Sequence, residues 1–468
     1  MGTPLVFGRH STNFEQMFTL SQILAIVIFL VMLLAIMIGK VHRYIPASAG
    51  AIITIIVVLL ITLQSTEAVV SVLNLEQLGQ LNFWIPGEQQ VESRGINWQT
   101  IIFIGGMMVM VEGMAEVGFF RWICLYTARL VNCRVIPLLM MFMLLSGFLA
   151  MFIDSITVLL FLATVTIELA RLLKFNPVPM IIAEIFAANC GGAATMCGDP
   201  PNIIIGTALG YTFADFAVNT GPIAWIGMLV TLGFFYFAFR KILTQPDDPE
   251  VLMPLCPVPS TAITNPRLFK ISTGIFLLVV ILLVTHAETG LSVALIGCIA
   301  AALTLFTSFR RAPHLLQRVD WRTLLFFTSL FICVGGLEET GVLEMLAEYI
   351  GAVSGGNIIL VIPFILWVSA FASAIVDNIP FAAIMVPVIK NLSAVHGLSL
   401  PTLSWTLALG TDIGGNATPI GASANVVGTA IAEREGYLIS WGTFMKYALP
   451  GMLIVVALCH LYLIMRYA

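Results

Sequence analysis

Two stretches decide the fold of this chain: residues 189–206 read NCGGAATMCGDPPNIIIG, and residues 412–429 read DIGGNATPIGASANVVGT. The second stretch repeats the first at a spacing of 223 residues, which is the spacing from Gly191 to Gly414 and from Asn202 to Asn425. Glycine, proline, threonine and asparagine at this density within apolar sequence are typical of a transmembrane helix that is broken in its middle. Two such breaks at matching places in two halves of a chain indicate a binding site between the halves.

The same spacing continues upstream of the two breaks. Trp98 falls on Trp321 and Asp154 falls on Asp377, and no insertion is needed between Trp98 and Asn202. We interpret this as an internal duplication. It divides the chain into a first repeat at residues 1–239, a proline-rich linker at 240–269 and a second repeat at 270–468.

The composition is that of a membrane protein. Of the 468 residues, 59% are hydrophobic and 10% are charged, whereas about a quarter are charged in a typical soluble protein. The net charge of −4 indicates no particular partner, and no basic tail or low-complexity block suggests nucleic acid. The sequence therefore predicts an all-α polytopic membrane protein in contact with the lipid bilayer.

The eight cysteines contain no CxxC pair, so we expect neither a disulfide framework nor a metal site, and no cofactor. Cys190 and Cys197 flank the first break, where thiols can bind a soft metalloid. The second break has Ile413 and Ile420 at these positions, which favours the simpler interpretation of buried cysteine as a small hydrophobic residue.

Apolar runs of about 17 to 25 residues predict the spanning helices. They lie at residues 19–39, 45–63, 97–118, 178–210 (split), 222–239, 270–286, 290–308, 320–341, 402–432 (split) and 445–465. Two further apolar stretches, 136–170 and 359–389, each carry an aspartate near the middle. We interpret them as re-entrant hairpins with Asp154 and Asp377 at their tips. Residues 119–134 and 342–355 resemble amphipathic helices at the membrane interface.

The positive charges predict the orientation of the two repeats. With the first helix running inwards, 17 of the 21 lysines and arginines fall on the cytoplasmic side, as the positive-inside rule expects. The first repeat then starts outside and the second starts inside. The duplication is predicted to be inverted, with the two hairpins entering from opposite faces.

Four aspartates at or beside the breaks and tips are the predicted proton- or ion-coupling residues: Asp154, Asp199, Asp377 and Asp412. An aspartate at bilayer depth costs about 2.5 to 3.5 kcal/mol on insertion scales, so it usually has a function. A carboxyl group in a low-dielectric site takes up and releases protons near neutral pH. The structural alternative is a carboxyl that caps a half-helix N-terminus.

Neutral groups beside these aspartates are the predicted substrate ligands. Hydroxyls and amides can bind a small solute, while glycine pairs let backbone groups face a cavity. The set is Ser155, Thr157, Gly191, Gly192, Thr195, Asn202, Asn378, Gly414, Gly415, Asn416, Thr418, Ser423 and Asn425. Helix capping is the alternative role for the threonines and asparagines.

Over nearly its whole length the chain resembles the ion transporter superfamily, within it the branch of arsenite permeases and P proteins that also includes sodium/proton antiporters. The motifs that carry the resemblance are GGAATMCGDPPNIIIG at 191–206, DNIPFAAIMVPVI at 377–389 and GGNATPIGASANVVG at 414–428. The resemblance implies a homodimer in the inner (plasma) membrane, scaffold and transport domains, and elevator-type alternating access. It places the site between the two hairpin tips and the two breaks.

The chain departs from the superfamily at the hairpin tips. Sodium-coupled dicarboxylate carriers have Ser-Asn-Thr there, whereas this chain has Asp-Ser-Ile-Thr at 154–157 and Asp-Asn-Ile-Pro at 377–380. The departure argues against sodium/dicarboxylate symport and favours protons. Ser155 stands where the branch is expected to have asparagine, and Asp412 where it more often has an uncharged residue.

Three hypotheses follow. The first is proton-coupled efflux of arsenite or antimonite, since trivalent arsenic in water is mostly a neutral trihydroxide that hydroxyl, amide and carboxyl groups can bind. The second is sodium/proton antiport at the same aspartates. The third is an intramembrane aspartyl protease, which usually has a Gly-x-Gly-Asp string, whereas MCG precedes Asp199 here. The duplicated pattern favours a transporter over an enzyme.

Overall fold

The computed structural model describes residues 18–85, 95–243 and 252–468, and every regular element in these ranges is helical. The central part of the predicted linker, 244–251, and the arginines Arg9 and Arg94 lie outside the described residues. The longer helices are α1 (Leu20–Ile38), α2 (Tyr44–Ile53), α3 (Trp98–Glu116), α4 (Phe119–Leu130), α5 (Val135–Ala150), α6 (Ser155–Leu173), α7 (Val178–Gly192), α8 (Pro200–Leu209), α9 (Gly221–Phe239), α10 (Pro266–Val284), α11 (Val293–Thr307), α12 (Trp321–Glu339), α13 (Val342–Ser354), α14 (Ile358–Ile375), α15 (Asn378–His396), α16 (Leu400–Gly414), α17 (Ser423–Arg434) and α18 (Trp441–Tyr467).

Ten helical segments in the described residues are long and apolar enough to cross a membrane, or eleven if α11 and the bent segment after it form one span. The chain is therefore a multi-pass membrane protein, as predicted. Each predicted span contains a helix, and both predicted breaks are present. Helix α7 ends at Gly192 and α8 begins at Pro200. Helix α16 ends at Gly414, a short 3₁₀ turn follows, and α17 begins at Ser423.

Both predicted hairpins are pairs of helices joined by a few residues. Helices α5 and α6 are joined at residues 151–154, and α14 and α15 at residues 376–377. Asp154 and Asp377 stand immediately before α6 and α15 as their N-cap residues. Three of the four arms, α6, α14 and α15, are themselves long and apolar enough to span a bilayer. Re-entry of the hairpins and inversion of the repeats stay predictions.

The helices pack in two groups. In the first, α3 packs on α11 and α12, α2 packs on α1 and α12, and α10 packs on α11. In the second, the hairpin arms and broken helices pack on one another and on α9 and α18. The predicted interfacial helices connect the groups, since α4 contacts α3, α5 and α6, and α13 contacts α12, α14 and α15. Glycine at positive φ precedes each of them, Gly118 at 84° and Gly341 at 75°, which turns the chain sharply into the connecting helix.

Three local features differ from the prediction. Residues Thr54–Thr62 continue α2 as a π-helix, which an unbroken apolar run does not signal. Helix α10 begins at Pro266, inside the predicted linker. Cys133 and Cys256 form a disulfide, whereas we expected no disulfide framework; the 123 residues between them gave no spacing pattern to indicate the pairing.

Candidate functional site

The first hairpin tip is fixed to the first break. The Asp154 carboxylate accepts hydrogen bonds from the Thr157 backbone N–H at 3.0 Å and from its hydroxyl at 2.7 Å, so it caps α6. The adjacent Ser155 hydroxyl donates to Asp199 Oδ1 at 2.5 Å, and Asp199 stands directly before α8. The first tip therefore carries two functional groups. The Asp154 carboxyl is partly exposed and hydrogen-bonded within the tip, and the Ser155 hydroxyl binds the Asp199 carboxyl in the break.

The second tip makes a different set of contacts. Asp377 caps α15 through the Ile379 N–H at 3.2 Å, and its Oδ2 also accepts from the Ser423 hydroxyl at 3.2 Å. The guanidinium of Arg43 donates to the same oxygen at 3.1 Å. Arg43 also donates to Thr323 at the start of α12. An arginine beside α2 therefore links the second tip to the first group of helices.

Arg43 was missed in the sequence analysis, where it counted only as one of the cytoplasmic positive charges. Its partner lies 334 residues away, and no local pattern signals that contact. The guanidinium lies 4.9 Å from the centroid of the Phe326 ring, which adds a cation–π contact. The pair is half-buried, with side-chain exposures of 26% for Arg43 and 13% for Asp377.

We expect Arg43→Gln to lower the free energy of unfolding by about 1 to 2 kcal/mol, a fully buried pair being worth more and an exposed one less. The substitution leaves the half-buried Asp377 carboxylate without its cation. Thermal unfolding of the purified chain measures the change in stability. Arg171→Gln is the matched control, because its ion pair with Glu435 is exposed on both sides, at 55% and 45%, and its melting temperature should stay at the wild-type value. Equal losses in both variants would contradict the assignment.

Each break is held by an asparagine at the start of the half-helix that follows it. The Asn202 amide donates to the carbonyls of Gly192 at 3.2 Å and Thr195 at 3.0 Å. The Thr195 hydroxyl donates to the Met151 carbonyl of the first tip. Side chains thereby satisfy backbone carbonyls that the interrupted helix leaves without partners.

The second break repeats this arrangement at the corresponding positions. The Asn425 amide donates to the carbonyls of Gly415 and Thr418, each at 2.7 Å. The Thr418 hydroxyl donates to the Ala374 carbonyl of the second hairpin. Four of the residues that the sequence singled out as ligands or caps, Thr195, Asn202, Thr418 and Asn425, therefore have a structural role, which is to hold the unwound backbone in shape.

A pair of hydrogen bonds joins the two predicted repeats. The Asn189 amide on α7 donates to Asn425 Oδ1 at 2.8 Å and to Asn416 Oδ1 at 3.0 Å. Asn189 was not among the predicted site residues. The sequence did contain one signal for it: at the repeat spacing of 223 residues, Asn189 corresponds to Asp412, which was among the predicted site residues.

The four predicted aspartates are brought together, and we call Asp154, Asp199, Asp377 and Asp412 the acidic centre. The carboxyl of Asp199, only 2% exposed, interacts electrostatically with those of Asp154 and Asp377, and Asp412 interacts with Asp199. Asp320, the cap of α12, also interacts with Asp154. One oxygen of Asp199 and both oxygens of Asp412 are buried without a hydrogen-bond partner among the described residues.

The glycine pairs serve close packing. A Cβ on Gly191 would lie 2.0 Å from the Gly147 carbonyl oxygen, and one on Gly414 would lie 2.3 Å from Ala370 Cα. These glycines face a hairpin arm, where we had expected a cavity. Of their neighbours, Gly192 and Gly415 offer carbonyls to the bonds that hold the breaks. The remaining predicted ligand, Asn378, is the first residue of α15 and is buried.

The thiols of Cys190 and Cys197 are both buried. Among the described residues, no three His, Cys, Asp or Glu side chains are grouped to hold a metal ion. The groups at the centre are carboxyls, amides and hydroxyls. This set can exchange protons and can bind a cation or a hydroxylated solute.

Comparison with known proteins gives a family. A citrate transporter family model matches residues 32–410. The chain is 35% identical to a 46 kDa membrane protein of Mycobacterium leprae and 35% identical to an uncharacterized transporter of Mycobacterium tuberculosis, in both cases over 80% of this chain and 87% of the relative. It is 30% identical to the human P protein over 78% of this chain and 53% of that protein.

Among solved structures, the YdaH transporter of Alcanivorax borkumensis matches with a TM-score of 0.55 and 14% identity, over 95% of this chain and 97% of that one. At this identity the likeness concerns the fold alone. The family and the relatives named above as transporters bear out the predicted superfamily and the prediction that the chain is not an enzyme. The chain belongs to the citrate transporter family of the ion transporter superfamily, and it is a membrane transporter.

Proposed function

We propose that the chain is a secondary active transporter that exchanges protons for a small inorganic solute at the acidic centre, with arsenite or antimonite exported from the cytoplasm. The observation that supports this most is the grouping of Asp154, Asp199 and Asp377 where the two hairpin tips meet the breaks. Ser155 of the first tip donates to Asp199 in the first break, and Ser423 at the second break donates to Asp377 of the second tip, so the carboxyls lie where tips and breaks meet. One proton entering through a potential of 100 mV supplies about 2.3 kcal/mol to the export of a neutral molecule.

The charge of the site favours a neutral or cationic cargo. The acidic centre has four carboxyls, and the arginine in contact with it, Arg43, is already paired with Asp377. A polycarboxylate such as the citrate of the family description would meet more negative than positive charge here. A neutral trihydroxide can donate hydrogen bonds to carboxyl oxygens and amide carbonyls without this penalty.

Sodium/proton antiport is the second candidate. It is favoured by the buried oxygens of Asp199 and Asp412 that have no partner among the described residues. Carboxylate and carbonyl oxygens are the ligands that hard cations prefer. A sodium ion and protons would then compete for the same oxygens.

We infer that transport proceeds by an elevator movement of the second group of helices in a homodimer of the inner membrane. Support comes from the contacts between the two groups of helices. Helix α3 packs more extensively on α8 than on α6, and α12 packs more extensively on α15 than on α17. In the predicted orientation α8 and α15 lead to the outer face. The second group then lies displaced towards the cytoplasm, which corresponds to an inward-facing state.

Everted membrane vesicles test the cargo. A pH gradient is formed across vesicles that contain the chain, and arsenite, antimonite, sodium or citrate is then added outside while a dye reports the gradient. We expect arsenite and antimonite to dissipate the gradient. Asp154→Asn and Asp377→Asn should abolish the effect, because asparagine preserves the helix cap and removes the proton site.

The other outcomes are equally informative. Dissipation by sodium alone would assign the chain to the second candidate, and dissipation by citrate alone would contradict both. Wild-type behaviour of both variants would exclude the acidic centre from coupling.

A further inference from the structure

The two breaks are held by the same bonds, but only one of them receives a hydrogen bond from the opposite repeat. Asn425 Oδ1 accepts from the Asn189 amide. The corresponding atom of the first repeat, Asn202 Oδ1, is buried and has no partner among the described residues. The residue that corresponds to Asn189 is Asp412, at the spacing of 223.

Asp412 is in the right place to supply the missing bond. It lies on α16, which packs on α7 and on α8, the helix that carries Asn202. Both of its oxygens are fully buried, and neither has a hydrogen-bond partner in the part of the chain that the structure describes. The Asn202 amide is already committed to the carbonyls of Gly192 and Thr195. An ionised carboxyl would therefore face an oxygen that can only accept, so a bond between the two requires a proton.

We propose that Asp412 is a proton-binding site whose protonated carboxyl donates a hydrogen bond to Asn202 Oδ1, as the titratable counterpart of the Asn189–Asn425 bond. This inference rests on the proposed function and names the residue that carries the proton. Loss of the proton leaves a buried negative charge against an amide oxygen, which favours rotation of Asn202 and release of the backbone of the first break. The second break, held by two amides, does not titrate.

In the described ranges, no cation is in electrostatic contact with Asp412. Of the elements that pack against α16, α14 and α8 carry no titratable side chain. The titratable groups on or at the ends of the others are Glu184 and Cys190 on α7, Asp377, Lys390 and His396 on α15, and Lys446, Tyr447, Cys459, His460, Tyr462, Arg466 and Tyr467 on α18. The groups in electrostatic contact with Asp412 are Asp199 and Cys190, and neither is positive.

Infrared spectroscopy of the purified full-length chain tests this without any cargo. The difference spectrum between wild type and Asp412→Asn near neutral pH should contain the carbonyl stretch of one protonated carboxylic acid, shifted in heavy water. Asp215→Asn is the control, since Asp215 belongs to a surface capping box, and it should lose no such band. The absence of a difference band for Asp412→Asn would overturn the proposal.

Thermal unfolding gives an independent readout. Asparagine at 412 donates the same hydrogen bond through an amide N–H that does not titrate, as Asn189 does, so the variant should fold. The melting temperature of wild type should fall relative to that of the variant as pH rises from about 6 to about 9. In this range the Asp412 carboxyl is protonated in the folded chain and ionised in the unfolded chain, so each rise in pH favours unfolding. A constant difference across this range, or a variant that does not fold, would contradict the proposal. Neither readout involves transport, so failure of the proposed function and failure of this inference are distinguishable.

Discussion

Valine in place of Gly191 is expected to leave little folded protein, and valine in place of Gly414 to do the same. The first Cβ would lie 2.0 Å from the Gly147 carbonyl oxygen and the second 2.3 Å from Ala370 Cα. Both obstacles are backbone atoms, which cannot move aside as the end of a side chain can. Overpacking of a core costs about 1 to 3 kcal/mol when side chains can adjust, and we expect a larger loss here, against a total stability of about 5 to 15 kcal/mol.

The melting temperature and yield of the purified chain measure this effect. Gly233→Val on α9 is the matched control, because no atom outside its own helix turn lies within 4 Å of a Cβ built there. It should melt close to wild type. A Gly191→Val variant that unfolds at the wild-type temperature would mean that α5 and α7 do not approach as closely as described.

Asp199→Asn is expected to remove proton coupling while the fold remains. Asp199 accepts a hydrogen bond from Ser155 in the first tip and interacts with both Asp154 and Asp377. Asp199 therefore lies in the first break and is hydrogen-bonded to the first tip. Asparagine is nearly isosteric and its Oδ1 can still accept from Ser155, but it has no group that takes up or releases a proton.

The size of the effect follows from the driving force. One proton moving through about 100 mV is worth about 2.3 kcal/mol, which corresponds to roughly a 50-fold gradient. We expect the cargo gradient maintained by Asp199→Asn to fall by about this factor per proton lost, measured as steady-state cargo accumulation in everted vesicles. Asp215→Asn, outside the acidic centre, should accumulate cargo as wild type does. A full gradient in the Asp199 variant would remove this residue from the mechanism.

The sequence predicted the helices, both breaks and the residues at both tips, because these features have local causes. A dense cluster of glycine and proline such as that at 191–201 favours interruption of a helix, and an aspartate before a helix is often its cap. The predicted capping alternative holds for Asp154, whose carboxylate binds the Thr157 N–H and hydroxyl. Capping does not conflict with the coupling role, which stays a prediction.

The contacts that join the elements were not predictable in the same way. Arg43 meets Asp377 across 334 residues, and Asn189 meets Asn425 across 236 residues. Such pairs depend on how the helices pack, and a single sequence carries no direct sign of that. The repeat gave partial information about these contacts. It aligns Asn189, an amide that always donates a hydrogen bond, with Asp412, a carboxyl that donates one only when it is protonated. The role of Gly191 and Gly414 in close packing likewise depends on the partner helix.

Proton movement in proteoliposomes is the most direct test of the central claim that the acidic centre exchanges protons for cargo. The purified chain is reconstituted into liposomes loaded with arsenite and a pH-sensitive dye, and the vesicles are diluted into arsenite-free buffer. The proposed exchange predicts that arsenite efflux acidifies the interior, and that Asp199→Asn abolishes the acidification. Loading with antimonite should give the same result, and loading with sodium would give it under the second candidate. An interior pH that stays constant with all three loads would contradict the claim.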